Sequence, residues 1–584
     1  MIDETTRDWK DGIFSSIFRT VNQPLPPERK REIRWIIFDG NVDAILVENL
    51  NSVMDDNRLL TLPNRERVLL QSHCAIIFEV SDLQYATPAT ISRCGVVWVD
   101  PKNLGTKPLD ERWLKERYGT NFVISDIYKK IEYFHMKLFD RYTVPCIEYV
   151  IDGKLEGNLG ERLSQSLPVC DLELCKQLCY LLDSFLPHVT KEVNLEPKEF
   201  ENIYIFCLVW SIGAQLDLES KNKFDYFLKQ TSTEHLPKES LYDYFYCTRE
   251  QKWIHWDTSI KPYEQPEPFH FHKILVPTSN FASYQNILQF VAPKRPILFI
   301  GENGTGKTLT CKNYLNLLEN KEYLRLEIPL TFQTSVQGVR TCIESKVEKQ
   351  LGSLYGPSGG KKLMLFIDDL HMPKTDRYGT QQPVTFLLTL LDHGFMYGQG
   401  KEIQQKYLRG VNFIAAMKPS VAAQNRIDPR FVSKLSTFNI TKLSEKHLHS
   451  ISSTITRMAG YDNNILEQIP KITTATSEIF NFLVNNFPPT PSKFYYKLTL
   501  RDISRVFEGL CSTAQETMLQ SNYLIRVWRN EIHCAFFDRL NSKEERDLAE
   551  SKLSDLIKVY FTTESNFALA NPMVLETSHR QCDE

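Results

Sequence analysis

The chain has 584 residues, enough for about four compact units and too many for a single core. Hydrophobic residues make up 42% and charged residues 24%, which excludes a disordered or collagen-like chain. Lys and Arg total 69 against 72 Asp and Glu, a net charge of −3, so no global basic field argues for non-specific nucleic-acid binding.

In chain order, MIDETTRDWK is acidic and polar and lacks the apolar centre of a signal peptide. RWIIFDG, Arg34–Gly40, reads as an apolar strand ending in Asp39. Gly40 follows it and cannot act as a base, and Asp43 falls on the next loop. No G-x-x-x-x-G-K-[ST] precedes Asp39, so the chain reads as starting inside a nucleotide-binding module, after its phosphate loop. Residues 1–105 form this truncated α/β part, and residues 106–230 a mostly helical lid.

Within that lid, Cys175 and Cys179 of CDLELCKQLC share a helix face with Cys170 just upstream. Leu172, Leu174 and Leu178 surround them and no second pair stands at zinc spacing, so core packing is the reading. The 13 scattered cysteines suggest a reduced, intracellular protein. Ile203–Gly213, IYIFCLVWSIG, is shorter than the roughly 20 residues of a membrane helix and reads as a buried helix. PYEQPEPFHFH, Pro262–His272, is an extended lead-in to the next unit. His270 and His272 alternate there as on a strand, without a ligand role.

Residues 231–445 hold the strongest signal. PILFI, Pro296–Ile300, is a short β-forming run. GENGTGKT, Gly301–Thr308, follows it and then a helical segment, LTCKNYLNLLEN. The order strand, glycine-rich turn, helix fits a phosphate-binding loop. Gly301, Gly304, Thr305 and Gly306 let backbone N–H groups approach phosphate oxygens, and the helix N-terminus adds its dipole. Lys307 reaches the β- and γ-phosphates, and the Thr308 hydroxyl ligates Mg²⁺. Such a loop calls for a second apolar strand ending in acid. LMLFIDD, Leu363–Asp369, supplies it, with Asp368 61 residues beyond Lys307. Asp368 would hold Mg²⁺ through water, and Asp369 stands where a general base polarises the attacking water. Residues 446–560 read as helical, with KEERDLAESKLSDLIK amphipathic and its charges solvated. The tail, 561–584, is unassigned.

These residues resemble the AAA+ modules of dynein heavy chains. Arg34–Leu70 and TPATISRCG, Thr87–Gly95, look like the second module. ILVPT (Ile274–Thr278), GENGTGKT, FIDDLHMP (Phe366–Pro373), DRYGTQQP (Asp376–Pro383), LLDHGFMYG (Leu390–Gly398) and LRDISRVFEGL (Leu500–Leu510) look like the third. FIDD and HMP favour the axonemal branch. The resemblance covers roughly residues 1–560. It implies an α/β fold of P-loop AAA+ modules, each a parallel sheet flanked by helices with a helical lid. It also implies ATP or ADP and Mg²⁺ as ligands.

The resemblance implies roles as well. Arg93 matches the arginine finger of the second module and Arg430, in DPRF, that of the third, which would point at the second module's nucleotide. A permanent charge on a rigid fork suits stabilisation of a γ-phosphate. Arg501 matches the lid arginine that contacts phosphate, and Val276, Pro277 and Thr278 line the adenine pocket. Four departures stand out. Glu79 and Lys418 occupy positions where a polar sensor is expected, Asp369 replaces the usual Glu, and NFASY, Asn280–Tyr284, is altered from the usual polar run.

The partners implied are other AAA+ modules of the same heavy chain, intermediate and light chains, and microtubules, in cytoplasm, cytoskeleton and ciliary axoneme. No first module, stalk or microtubule-binding tip is recognisable, so the chain reads as a fragment, isoform or partial gene model. Three functions compete: a motor subunit, a nucleotide-binding regulatory or structural module with little turnover, and a P-loop enzyme acting on nucleic acid. The near-neutral charge disfavours the third, and no membrane partner is expected.

Overall fold

Five strands build one parallel sheet in the computed structural model. It describes residues 9, 11–29, 31–40, 44–100, 103–118, 135–155, 158–186, 197–232, 236–260, 263, 271, 274–398, 404–419, 426–458, 467–513 and 521–561. The sheet order is Tyr323–Pro329, Lys362–Asp368, Val411–Met417, Ile297–Ile300, Ser436–Asn439. Every neighbouring pair is parallel. The strand that is first in the chain, Ile297–Ile300, thus lies between the last two. That reversal of strand order opens a crevice at its carboxyl end, where open α/β sheets take their ligands.

Alternation along the strands divides the interior in two. Ile297 and Phe299 join a core with Met364, Phe366, Ile414 and Phe438. Leu298 and Ile300 join another with Leu365, Ile367 and Phe413. Where both faces are covered, as along Ile297–Ile300 and through the middle of Lys362–Asp368, the strands read as unbroken apolar runs instead of alternating ones.

The first of these cores extends far upstream. Leu178, Cys179 and Leu182 of helix Asp171–Phe185 belong to it, with Phe206 and Trp210 of helix Pro197–Ser211. The second helix contains most of the run expected to be a buried helix. It is buried along most of its length, as a helix with apolar residues on every side must be. Cys175 and Cys179 are free thiols in this packing. The helices also cover the outer edge of Ser436–Asn439, which would otherwise present unpaired strand groups. Gln177 Nε2 donates to Thr437 O at 2.8 Å, Gln215 Nε2 to Thr437 Oγ1, and Asn439 Nδ2 to Leu216 O at 2.9 Å. Lys221 Nζ, on helix Leu218–Thr231, donates to Asn439 O at 3.0 Å and lies over the Tyr242 ring.

At the start of the chain, Arg34–Asp39 pairs in parallel with Cys74–Glu79, setting Asp39 opposite Glu79. Phe18, Ile36, Leu50 and Val53 form the core beneath them. A hairpin, Tyr244–Cys247 with Lys252–His255, follows the upstream helices. A small four-stranded sheet of Val347–Leu351, Leu354–Pro357, Gln405–Leu408 and Phe395–Tyr397 stands beside the main one.

The last third is helical: Glu445–Met458, Ile469–Asn486, Leu500–Ser512, Ser521–Ala535 and Lys543–Tyr560. Four of these five, all but the first, enclose a core around Ile472, Val506, Phe507, Trp528 and Leu553. The amphipathic helix Lys543–Tyr560 buries Ala549, Leu553, Leu556 and Ile557 at spacings of three and four, leaving its charges outside. No helix among the described residues is long and apolar enough to cross a membrane. His270, His272, most of the proline-rich lead-in and the tail beyond 561 lie outside the described residues. Phe271 is described and packs against the last helical core.

Burial holds the Lys221 ammonium well below its usual value, at about 7, with Asp217 opposing the shift. The unfolded chain therefore binds this proton more tightly than the fold does, and stability rises with pH between about 7 and the ordinary lysine range. A Lys221→Met variant removes that dependence. Its melting temperature relative to the parent is expected to be highest at pH 7 and to fall toward pH 10, as read by differential scanning calorimetry.

Candidate nucleotide site

The Gly301–Thr308 loop leaves a fully buried strand, Ile297–Ile300, and runs into helix Lys307–Leu317. Two of its residues, Gly304 at φ +85° and Gly306 at φ +88°, adopt left-handed conformations that cost other residues dearly. A Cβ on Gly304 would come within 2.9 Å of Leu500 Cβ and 3.1 Å of Arg501 N, so the loop abuts the start of lid helix Leu500–Ser512. A Cβ on Gly301 would meet Ile440 O at 2.6 Å. Beside Gly306 there is open space, so the cradle can admit a phosphate.

Helix Leu500–Ser512 is fixed at that contact by reciprocal capping. Thr499 N and Oγ1 both donate to Asp502 Oδ2, at 2.8 and 3.0 Å. Next to the loop lies a cavity of about 240 Å³. Its walls include Ile274, Val276, Thr278, Leu309, Ile440 and Phe507. Pro277 is not among the lining residues, whereas Phe271 and Asn280 are. Thr278 also caps helix Ser279–Val291, accepting from Phe281 N at 3.3 Å.

Lys307 is buried and folds back on the loop, with Nζ donating to Gly301 O at 2.7 Å and Glu302 O at 2.6 Å. Burial lowers its pKa to about 8. Asp369 and Asp368 pull it up, and Lys418 and Arg501 push it further down. Arg501 and Lys418 therefore share one field with Lys307 and the acid pair. Thr308 Oγ1 donates to Asp368 Oδ2 at 2.9 Å, and Asp369 N donates to Asp368 Oδ1 at 3.0 Å. A hydroxyl and a carboxylate brought this close are the hard oxygen donors that Mg²⁺ takes beside phosphate, so the residues fit the ion. Asp369 is exposed, with φ +53°, a left-handed turn held by Met372 N donating to Asp369 O at 2.9 Å. Thr305 Oγ1 braces the loop by donating to Glu302 O at 2.9 Å.

The structure thus gathers Gly301, Gly304, Thr305, Gly306, Lys307, Thr308, Asp368, Asp369, Arg501, Val276 and Thr278 around one crevice. Arg430 and Arg93 lie elsewhere. Arg430 begins a short helix capped by Asp428, pairs with Asp428 Oδ2 at 2.9 Å, and reaches Asp39 Oδ1 at the end of the first parallel pair. Arg93 is tied to its own surroundings, Ala89 O at 2.7 Å and Asp55 Oδ2 at 3.5 Å.

Several neighbours had no role assigned from the sequence. Lys434 pairs with Asp392 close to Asp39 and His393, whose ligand atoms all lie within 4.8 Å. His371, two residues after Asp369, is buried. Its burial depends on tertiary packing, which no local pattern carries.

Three family models match the chain. One, described as the P-loop containing dynein motor region, matches residues 263–443. Another, the dynein heavy chain AAA lid domain, matches residues 135–258. The third, the dynein heavy chain ATPase lid domain, matches residues 452–546. The chain is 40% identical, over 98% of its length, to the dynein-1-alpha heavy chain of the flagellar inner arm I1 complex from Chlamydomonas reinhardtii, and covers 13% of it. It is 38% identical, over 98% of its length, to human dynein axonemal heavy chain 10, again covering 13%. Against human dynein axonemal heavy chain 2 the identity is 31%, over 96% of this chain and 12% of that one. The chain thus spans about an eighth of the length of these curated relatives.

A Gly304→Ala substitution tests the join between loop and lid. The left-handed backbone alone costs a β-carbon about 1–2 kcal/mol. The new methyl would also press on Leu500. We expect a lowered melting temperature and at least about a tenfold loss of nucleotide affinity by titration calorimetry.

Proposed function

We propose that this chain, which belongs to the dynein heavy-chain family, supplies an ATP- or ADP-binding AAA+ module to an ATP-driven, minus-end-directed microtubule motor of cilia and flagella. The observation that carries the nucleotide reading is the bond from Thr308 to Asp368. It joins a complete phosphate loop to its partner strand at the reversal point of the sheet. In this reading the adenine enters the apolar cavity beside Val276, Ile440 and Phe507. The phosphates meet the loop amides and the first turn of helix Lys307–Leu317. Lys307 exchanges its two carbonyl partners for phosphate oxygens. Thr308, and Asp368 through water, would hold Mg²⁺, which would supply positive charge to the phosphates. Asp369 accepts a proton from the attacking water, and Arg501 brings the lid's charge to the phosphates.

The chain by itself is a regulatory module in this reading, and the motor is the property of the whole heavy chain in the axoneme. Its partners are the other AAA+ modules, intermediate and light chains, and microtubules. Arg93 serves the module before it. Arg430 serves the site of Asp39. In a full-length heavy chain whose phosphate loop completes that site, the site holds ATP, and because Gly40 supplies no base it does not cleave it, while this chain by itself holds no nucleotide there. Neither arginine is turned to the Gly301–Thr308 loop.

Two outcomes follow. Lys307→Ala should abolish binding of Mg-ATP and ADP, and calorimetry showing unchanged affinity would sink the site. A trans arginine contributes about 10³–10⁵ in rate to phosphoryl transfer. Turnover by this chain is therefore expected to be very slow and indifferent to microtubules. A microtubule-stimulated ATPase would contradict the regulatory reading.

A further inference from the structure

Among the described residues, helix Glu445–Met458 contributes nothing to the core that the other four lid helices enclose. Its apolar face looks elsewhere. Leu448, Ile451 and Ile455, at spacings of three and four, line the cavity beside the phosphate loop. Helix Ser279–Val291 lines the same cavity with Asn280, Phe281 and Tyr284, and its cap, Thr278, does so too. A face that borders a cavity packs on less protein than a face in a core. Polar contacts therefore weigh more in fixing where Glu445–Met458 stands against the sheet domain.

One such contact crosses from the sheet domain to the lid. Ser279, the first residue of helix Ser279–Val291, is buried, and its Oγ lies 2.8 Å from His447 Nε2. Ser279 follows Thr278 in the chain and His447 precedes Leu448, so on each side the bond stands one residue behind a wall residue of the cavity. The imidazole is also held from its own helix start, where Nδ1 lies 3.1 Å from Ser444 Oγ and Leu448 N donates to Ser444 O at 3.0 Å. His449, two residues on and just over half a turn around the helix, lies with Nε2 3.0 Å from Thr474 Oγ1 of helix Ile469–Asn486. One helix thus carries two histidines, one bonded to the sheet domain and the other to the lid bundle.

We propose that Ser279 and His447 form a clasp that sets the rate at which this site exchanges its nucleotide. The inference rests on the nucleotide site described above. Neither side chain lines the cavity, so the clasp does not compete with a bound nucleotide and adds little to its affinity. It holds together the two helices that flank the apolar side of the cavity, and a nucleobase passes in or out as they part. The same parting moves the lid bundle, which follows through His449. Because the bond is present before and after binding and broken only during passage, its loss lowers the barrier in both directions. His447 is therefore a positioning residue, and the loss of one hydrogen bond speeds entry and release alike by about threefold to tenfold.

The test is stopped-flow fluorescence on the full chain with Mg²⁺ and methylanthraniloyl-labelled ADP, with titration calorimetry of ADP for the affinity. Ser279→Ala and His447→Phe should each speed entry and release about threefold to tenfold and keep the affinity within about twofold. The double variant should be no faster than the quicker single variant, since both substitutions remove one bond. His447→Gln, whose amide can still pair with the Ser279 hydroxyl, should restore slow exchange. Unchanged rates in either single variant, effects that multiply in the double variant, or lost affinity at an unaltered entry rate would each overturn the clasp while leaving the site intact. A parent chain that binds no ADP overturns the site itself, and the clasp with it.

Discussion

Strand Ser436–Asn439 is the constraint on which the other parts depend. It is an edge strand, yet all four residues are buried, three of them polar. Burying Thr437 and Asn439 is tolerable because the upstream helices supply matching partners; the buried Ser436 Oγ has none among the described residues. Gln177, Gln215 and Lys221 bond to Thr437 and Asn439, while Tyr284 OH adds a second donor to Asn439 O at 2.9 Å. The strand then fixes both of its ends. Before it stands the short helix that aims Arg430 at Asp39. After it, Ile440 N donates to Ile300 O at 2.7 Å, and the Ile440 carbonyl packs where only a glycine fits at position 301. One strand thus sets the spacing between a charge directed at one unit and the wall of the nucleotide cavity in the next.

The site combines firm placement with electrostatic tension. Asp368 is held by Thr308 Oγ1 and by the backbone of Asp369, so its carboxylate has a fixed direction. Asp369 itself sits in the left-handed region, which costs most side chains about 1–2 kcal/mol. Asp and Asn tolerate that conformation best among residues with a side chain. This gives a physical reason for Asp where the family resemblance leads one to expect Glu. The tension resides in Lys307, whose ammonium is buried against carbonyls and repelled by two other cations. Phosphate relieves both conditions.

Much of this was legible in the sequence because it is local. The order strand, GENGTGKT, helix and the apolar run ending in Asp368 are short-range patterns with fixed chemistry, and the structure brings them together. The run Ile203–Gly213 was readable as a buried helix because nothing polar interrupts it. Other features were invisible for a single reason: they join residues hundreds of positions apart. The seam from Gln177 to Thr437 depends on how units pack, whereas the family resemblance had already turned Arg430 toward the site of Asp39. The small sheet of Val347–Pro357 and Phe395–Leu408 escaped notice because its strands are short and partly polar. Lys418 was visible as a departure from the expected sensor residue. Its position between the loop and the acid pair needed the strand register.

The most direct test of the account is a structure of this chain with Mg²⁺ and adenylyl imidodiphosphate. The account predicts the adenine in the cavity beside Val276 and Phe507, phosphates on the amides of Gly304 to Thr308, and Mg²⁺ between Thr308 and Asp368. Nucleotide bound elsewhere, or an empty crevice with Lys307 still folded onto Gly301 and Glu302 at saturating ligand, would contradict it.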